Sequence, residues 1–149
     1  MAMPSEAPAL VDANVLVYSV FADSEHHLAS RALLDLAQEG AIALCLTSQV
    51  LAEFYAVVTD ARRVAVARQP HEAIQVIRDL VAMPGIMLLP IPADAVTQWL
   101  DLVARHPVSR GRIFDLQLIG SMLANGVRTI YTFDHAGFEQ FSELDVRRP

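Results

Sequence analysis

The stretch Ile42-Ala-Leu-Cys-Leu46-Thr47-Ser48-Gln-Val-Leu-Ala-Glu53-Phe-Tyr-Ala-Val-Val58 holds a complete strand-and-helix unit. Ile42 to Leu46 is uninterrupted apolar sequence, the pattern of a strand covered on both faces. Thr47 or Ser48 then offers a side-chain oxygen to cap a helix, and Val50, Leu51, Phe54, Val57 and Val58 recur at helical spacing. A strand hidden on both faces and followed at once by an amphipathic helix is the repeating unit of a parallel sheet between helical layers.

The same alternation extends both ways. Upstream, Ala9-Leu10-Val11 ends at Asp12 and is followed by Asn14-Val-Leu-Val-Tyr18. Asp23 or Ser24 caps a helix reaching about Glu39, with Leu28, Ala32, Leu33 and Leu36 as its apolar face and Gly40 as its stop. Downstream, a helix begins near Pro70 with Ala73, Ile74, Ile77, Leu80 and Val81 at helical spacing. Pro84-Gly85 ends it and leads into the strand Ile86 to Leu89. After Pro90 and Pro92, Val96, Trp99, Leu100 and Val103 mark a helix that stops at His106-Pro107. Val108 to Arg112 reads as a loop. A helix from Ile113 to about Asn125 follows, with Phe114, Leu118, Ile119, Met122 and Leu123 apolar, and Gly126 closes it. Val127 to Tyr131 is a last β-type run, giving out at Thr132-Phe133-Asp134. The pattern predicts one domain over residues 1–149, a three-layer α/β fold with a central, mainly parallel sheet. It does not order the strands.

Composition narrows the chemistry. The formal charge of −6 over 149 residues excludes a broadly basic nucleic-acid-binding surface. The single Cys45 excludes an internal disulfide framework and a cysteine-based zinc site. All 11 basic residues are arginine, so P-loop phosphate binding, Schiff-base chemistry and the lysine of receiver domains and haloacid-dehalogenase-type phosphatases are excluded as well. An apolar content of 54% points to an oligomer or an obligate partner. No apolar run approaches the roughly 18–20 residues of a membrane span, and Met1-Ala-Met-Pro-Ser-Glu6 lacks the features of a signal peptide. The expectation is a soluble cytoplasmic protein.

Four carboxylates stand in telling places. Asp12 and Asp134 lie where an apolar strand run ends, and ligands of open α/β sheets bind beyond the carboxyl ends of the strands. Asp115 is in the first turn of its helix. Glu53 lies about one and a half turns into its own, between apolar Ala52 and Phe54. Any one of them reads equally as a cap or a partner of the helix dipole. Gathered in one crevice they would repel unless a hard divalent cation neutralised them, and Mg²⁺ or Mn²⁺ suits carboxylate oxygen.

Leu10-Val-Asp12-Ala-Asn14-Val-Leu-Val-Tyr18, Thr47-Ser-Gln-Val-Leu-Ala-Glu53-Phe, Phe114-Asp115-Leu-Gln-Leu-Ile119 and Ile130-Tyr-Thr132-Phe-Asp134-His-Ala-Gly-Phe138 resemble, in order, the four acidic motifs of PIN-domain nucleases. The likeness spans residues 9 to 141, and size and compactness resemble the VapC-like toxins of bacterial toxin–antitoxin pairs. It implies a PIN-like α/β/α fold in which Asp12, Glu53, Asp115 and Asp134 are catalytic and hold one or two Mg²⁺ or Mn²⁺ ions. It further implies an endoribonuclease that hydrolyses RNA phosphodiester bonds with metal-activated water, leaving 5′-phosphate and 3′-hydroxyl ends. A cognate antitoxin and a homodimer come with it.

Asn14 and Thr132, each two residues from an acid, would orient that acid or its water; read locally they are a turn former and a β-former or cap. Arg110 and Arg112, just before Asp115, would contact the RNA backbone. Arg62, Arg63 and Arg68 follow the Glu53 helix as further basic residues. Trp99 and Met122 read as packing residues. The alternatives are a PIN-domain nuclease of RNA processing without a toxin role, and a catalytically inactive PIN binding module. The presence of all four acids weighs against the second.

Overall fold

The computed structural model of the protein describes residues 7–149, so the expectation placed on Met1 to Glu6 lies outside the described residues. Five three-residue strands form one sheet: β1 (Ala9–Val11), β2 (Leu44–Leu46), β3 (Ile86–Leu88), β4 (Thr129–Tyr131) and β5 (Asp145–Arg147). Their order is β3-β2-β1-β4-β5 and every neighbouring pair is parallel. Leu10 is the pivot of the register, opposite Cys45 on one side and Ile130 on the other. The chain lays β1, β2 and β3 outward to one edge, then returns to place β4 against the free side of β1. The progression therefore reverses between β1 and β4, and a crevice opens beyond their carboxyl ends.

The connecting helices are α1 (Ala13–Val20), α2 (His27–Gln38), α3 (Ser48–Val58), α4 (Pro70–Val81), α5 (Ala95–Arg105), α6 (Ile113–Ala124) and the short α7 (His135–Phe138). Helix α1 packs on α2 and α3, and α3 on α4; α5 packs on α6. The layered α/β arrangement expected from the alternating pattern is the one found. No described helix is long and apolar enough to cross a membrane.

The central strands explain why so short a sheet holds. Leu10, Val11, Cys45, Leu46 and Ile130 are completely buried, and each large aliphatic side chain so placed contributes roughly 1.5–3 kcal/mol. Burial pushes the Cys45 thiol up to about 12. The edges differ. In β3, Met87 and Leu88 are half exposed, and in β5 the ends Asp145 and Arg147 are exposed and hydrogen-bonded to each other at 2.9 Å. Such charged pairs blunt a sheet edge.

Several sequence expectations are corrected. Residues 13–20, which carried no assigned element, form α1, because Asp12 caps them: its Oδ1 accepts from the Ala13 N–H at 2.8 Å. The buried face of α2 is Ser30, Leu33, Leu34 and Ala37; Leu28 and Leu36 of the expected stripe are exposed. In α5, Ala95 and Leu102 are buried whereas Val96 and Leu100 are exposed. Its half-buried Trp99 meets α6 at Gly120, where a Cβ would lie 2.8 Å from the Trp99 Cβ, so only glycine allows that approach. Phe114 is 60% exposed instead of buried. Strand β5 was not foreseen, since Asp145-Val146-Arg147 offers a single apolar residue. Thr47, not Ser48, caps α3, accepting from the Val50 N–H.

Candidate active site

Asp12 leaves β1 in extended conformation and starts α1, so its carboxylate stands at the crevice with only 8% of the residue exposed. Its Oδ1 is held by the Ala13 N–H, and its Oδ2 accepts from the Thr132 hydroxyl at 2.8 Å and from Asn14 Nδ2 at 3.3 Å. The Thr132 Oγ1 in turn accepts from Asn14 Nδ2 at 3.1 Å and from the Asp134 N–H at 3.0 Å. One hydroxyl donor and two acceptor positions are thus all used. Asn14 Oδ1 closes the ring by accepting from the Phe133 N–H at 3.2 Å. The network stitches the end of β1 to the end of β4 and fixes the Asp12 carboxylate in one orientation.

The other acids come from different elements. Glu53 is on the exposed side of α3, on the wall of a cavity of about 480 Å³ that also includes Asn14, Tyr18, Phe21 and Arg63. Asp115, half-buried, is in the first turn of α6. Asp134 is exposed and caps α7, its Oδ1 accepting from the Gly137 N–H at 3.2 Å. A Cβ on Gly137 would lie 2.4 Å from Asp134 Oδ2, so that carboxylate occupies the space a side chain would fill.

The electrostatics tie the four together. Burial, above all, holds the Asp12 carboxyl above its ordinary 3.8. The bonds from Thr132 and Ala13 oppose this, and the charges of Asp115 and Asp134 add to it. Glu53, exposed on α3 but lining the cavity, is raised first by the partial burial of its carboxyl there, then by the charges of Asp12 and Asp115, with Arg63 pulling the other way. Asp115 is raised by burial; Arg112 opposes this and Asp134 reinforces it. The fold therefore places Asp12 and Asp115 in the field of Asp134, and Glu53 in the field of Asp12 and Asp115, with Arg63 and Arg112 as partial counter-charges. The side chains do not close into a cage: among the described residues no three Asp, Glu, His or Cys groups converge on a single ion position. Asp12 is occupied by Thr132 and Asn14, and Asp134 is turned back onto Gly137.

The donor set nevertheless fits a hard divalent cation. It consists of carboxylate oxygens, without sulfur or imidazole, and three of its acids are disfavoured as anions until positive charge arrives. Arg110 and Arg112 form a single 3-10 turn at the rim, next to Asp115, both exposed. Sequence reading passed over two features here. Arg63 was named only as a basic residue after α3, because its approach to Glu53 depends on how the loop after α3 folds back. Gly137 had a signal, the Asp134-x-x-Gly137 spacing of a side-chain cap before a glycine.

The PIN-domain family model matches residues 9–144. The chain is 32% identical over 139 residues to VapC ribonuclease Mb2897 of Mycobacterium bovis and, to the same extent, to Ribonuclease VapC43 of Mycobacterium tuberculosis, covering 93% of each pair. Among solved structures, VapBC2 from Rickettsia felis bound to a promoter DNA fragment is similar with a TM-score of 0.68 at 15% identity, over 96% of this chain and 99% of that one. The sarcin-ricin-loop-cleaving toxin VapC20 of M. tuberculosis is similar with a TM-score of 0.67 at 18% identity, over 95% and 99%.

Proposed function

The chain belongs to the PIN-domain family, and from that premise we propose that it is a divalent-metal-dependent endoribonuclease, the toxin of a toxin–antitoxin pair. The observation that carries the reading is the Asp12 carboxylate, buried at the point where strand progression reverses, oriented by Thr132 and Asn14, and set in the field of Asp115 and Asp134. Asp12, Glu53, Asp115 and Asp134 are the residues that would hold Mg²⁺ or Mn²⁺, with Glu53 and Asp134 turning inward from their present positions. Such a cation supplies Lewis-acid activation of the attacking water and charge stabilisation of the leaving 3′-oxygen.

The chain's own groups do the rest. Thr132 and Asn14 keep the Asp12 oxygens aimed at the crevice, so no reorganisation is needed as charge develops. Arg110 and Arg112 bind the phosphates of the RNA backbone, drawing a polyanion to a site whose own acids would otherwise repel it. The antitoxin acts by laying an amphipathic segment into the cavity beside Glu53, whose apolar wall includes Tyr18, Phe21, Val57 and Val66 and whose polar groups include Arg63 and Ser24. A homodimer is supported by α4 and β3, which pack together and leave Ile74, Val81, Met87 and Leu88 exposed. These activities belong to the cytoplasm.

The test is cleavage of single-stranded RNA by the purified chain with Mg²⁺ or Mn²⁺, with EDTA, and by Asp12→Asn. Cleavage only by the wild type with metal, leaving 5′-phosphate ends, is the expected result. Undiminished activity in EDTA overturns the metal account.

A further inference from the structure

On α6 the buried face starts one turn late. Phe114, Leu118 and Ser121 lie on one side of the helix at spacings of four and three; Leu118 and Ser121 are buried, yet the Phe114 ring is 60% exposed. It immediately precedes Asp115 in the first turn of α6. The backbone around it is pinned on both sides. Gln49 Nε2, from the first turn of the helix that carries Glu53, donates to the Phe114 carbonyl oxygen at 2.9 Å. On the other side Arg110 adopts a left-handed φ of 57°, a conformation disfavoured for a residue with a Cβ, although Gly111 is its neighbour. Neither Arg110 nor Arg112 forms an ion pair among the described residues.

We propose that Phe114 is a stacking platform for one unpaired nucleobase of a single-stranded RNA, with Arg110 and Arg112 gripping the phosphates beside it. This rests on the ribonuclease reading above and adds to it the substrate feature the ring selects, an unpaired base next to the scissile bond. Aromatic rings interleaved with arginines are the usual way of holding single strands. Arg110 and Arg112, both exposed, lie within four residues of the ring and supply the cations that a single-stranded polyanion requires.

The probe is a fluorescein-labelled single-stranded 12-mer RNA, its binding followed by anisotropy in EDTA, where cleavage is off. Phe114→Ala and Phe114→Leu weaken binding about 5- to 150-fold, the effect of losing one base stack, whereas Phe114→Trp retains it. Replacing the bases one at a time by abasic sites weakens wild-type binding at one position and leaves Phe114→Ala indifferent there. The slope of log Kd against log salt is unchanged in Phe114→Ala and smaller by roughly 0.7 in Arg112→Ala. Equal affinity of Phe114→Ala and wild type, in a protein that still cleaves RNA, overturns the platform alone. Failure of the wild type to bind or cleave RNA overturns the ribonuclease reading together with it. A change of oligomeric state in Phe114→Ala with RNA affinity per protomer intact assigns the ring to a protein interface and also overturns the proposal.

Discussion

The two ends of the acidic crevice are built differently. At the Asp12 end, both carboxylate oxygens, the Thr132 hydroxyl and the Asn14 amide are committed to one another, between the two central strands. At the Asp134 end, the carboxylate is exposed, sits on a four-residue helix and satisfies itself on Gly137. The first is a fixed anchor whose geometry is set before any ligand arrives. The second has a single backbone partner, the Gly137 N–H at 3.2 Å, and is otherwise open to solvent. Site acids with strong internal partners pre-organise chemistry; those with weak ones confer reversibility.

That contrast ranks the consequences of substitution. The largest expected effect is at the anchor: Asp12→Asn reduces RNA cleavage to background, and Mn²⁺ is expected to raise the thermal midpoint of the wild type but leave that of the variant nearly unchanged. A variant midpoint that climbs with Mn²⁺ as far as the wild type's would show that the anchor lies elsewhere. Next comes Thr132→Val, which keeps the shape and deletes the hydroxyl. Loss of such a supporting group typically costs about 10–100-fold in metal affinity or activity. Thr132→Ser restores most of it, and a valine variant as active as wild type would dissolve the distinction between the ends.

Gly137→Ala probes the looser end. Its Cβ would take the place of the Asp134 carboxylate, 2.4 Å from Oδ2, so the acid must leave its cap. The expected result is a change of about 10-fold or less in the Mn²⁺ concentration needed for half-maximal cleavage, with maximal rate retained. A collapse as deep as that of Asp12→Asn would make Asp134 an anchor too.

The smallest effect is on stability against pH. Asp12, Glu53 and Asp115 have folded-state pKa values above their ordinary ones, so between the two values the folded chain binds more protons than the unfolded chain. Stability in EDTA therefore falls as pH rises through that window, starting near 4 and levelling off above the raised values. Glu143, held low by its bond to Arg105, has the opposite sign: its contribution is present above its ordinary 4.5 and is lost as pH falls through its lowered value. Thermal midpoints measured in EDTA should decline as pH is raised from about 4 until the raised values are passed, and saturating Mn²⁺ should flatten the decline. A midpoint in EDTA that climbs over the same range would contradict the burial assigned to these acids.

Much of the anchor was legible in the sequence, for a physical reason. Asp12 stands at the end of a short, wholly apolar run, and burial on both faces leaves that run only one place in a parallel sheet; Thr132 follows a β-type run that carries Arg128 and Thr129 and is fully buried only at Ile130. The β1/β4 pairing was not legible, since any two apolar strands satisfy the same pattern; only the register of Leu10 with Ile130 joins Asn14 to Thr132. At the rim, helical periodicity misled. It counted Phe114 into the core because the ring lies above Leu118, and periodicity cannot tell where a helix outruns the sheet beneath it. Val96 and Leu100 fail for a related reason, as α5 is covered by α6 through Ala95, Trp99 and Leu102 and not through its most apolar stripe. Strand β5 escaped because an edge strand protected by charge carries almost no apolar signature.

Cys45, wholly buried in β2 with its thiol at about 12, gives the chain a built-in clock. It is the only cysteine in the sequence, so a maleimide dye can react only when the heart of the sheet opens, and its rate of uptake counts those openings. A second cysteine introduced by mutation on the surface would take up the dye at once. The same molecule can therefore carry a fluorescent reporter outside and keep its own record of unfolding within.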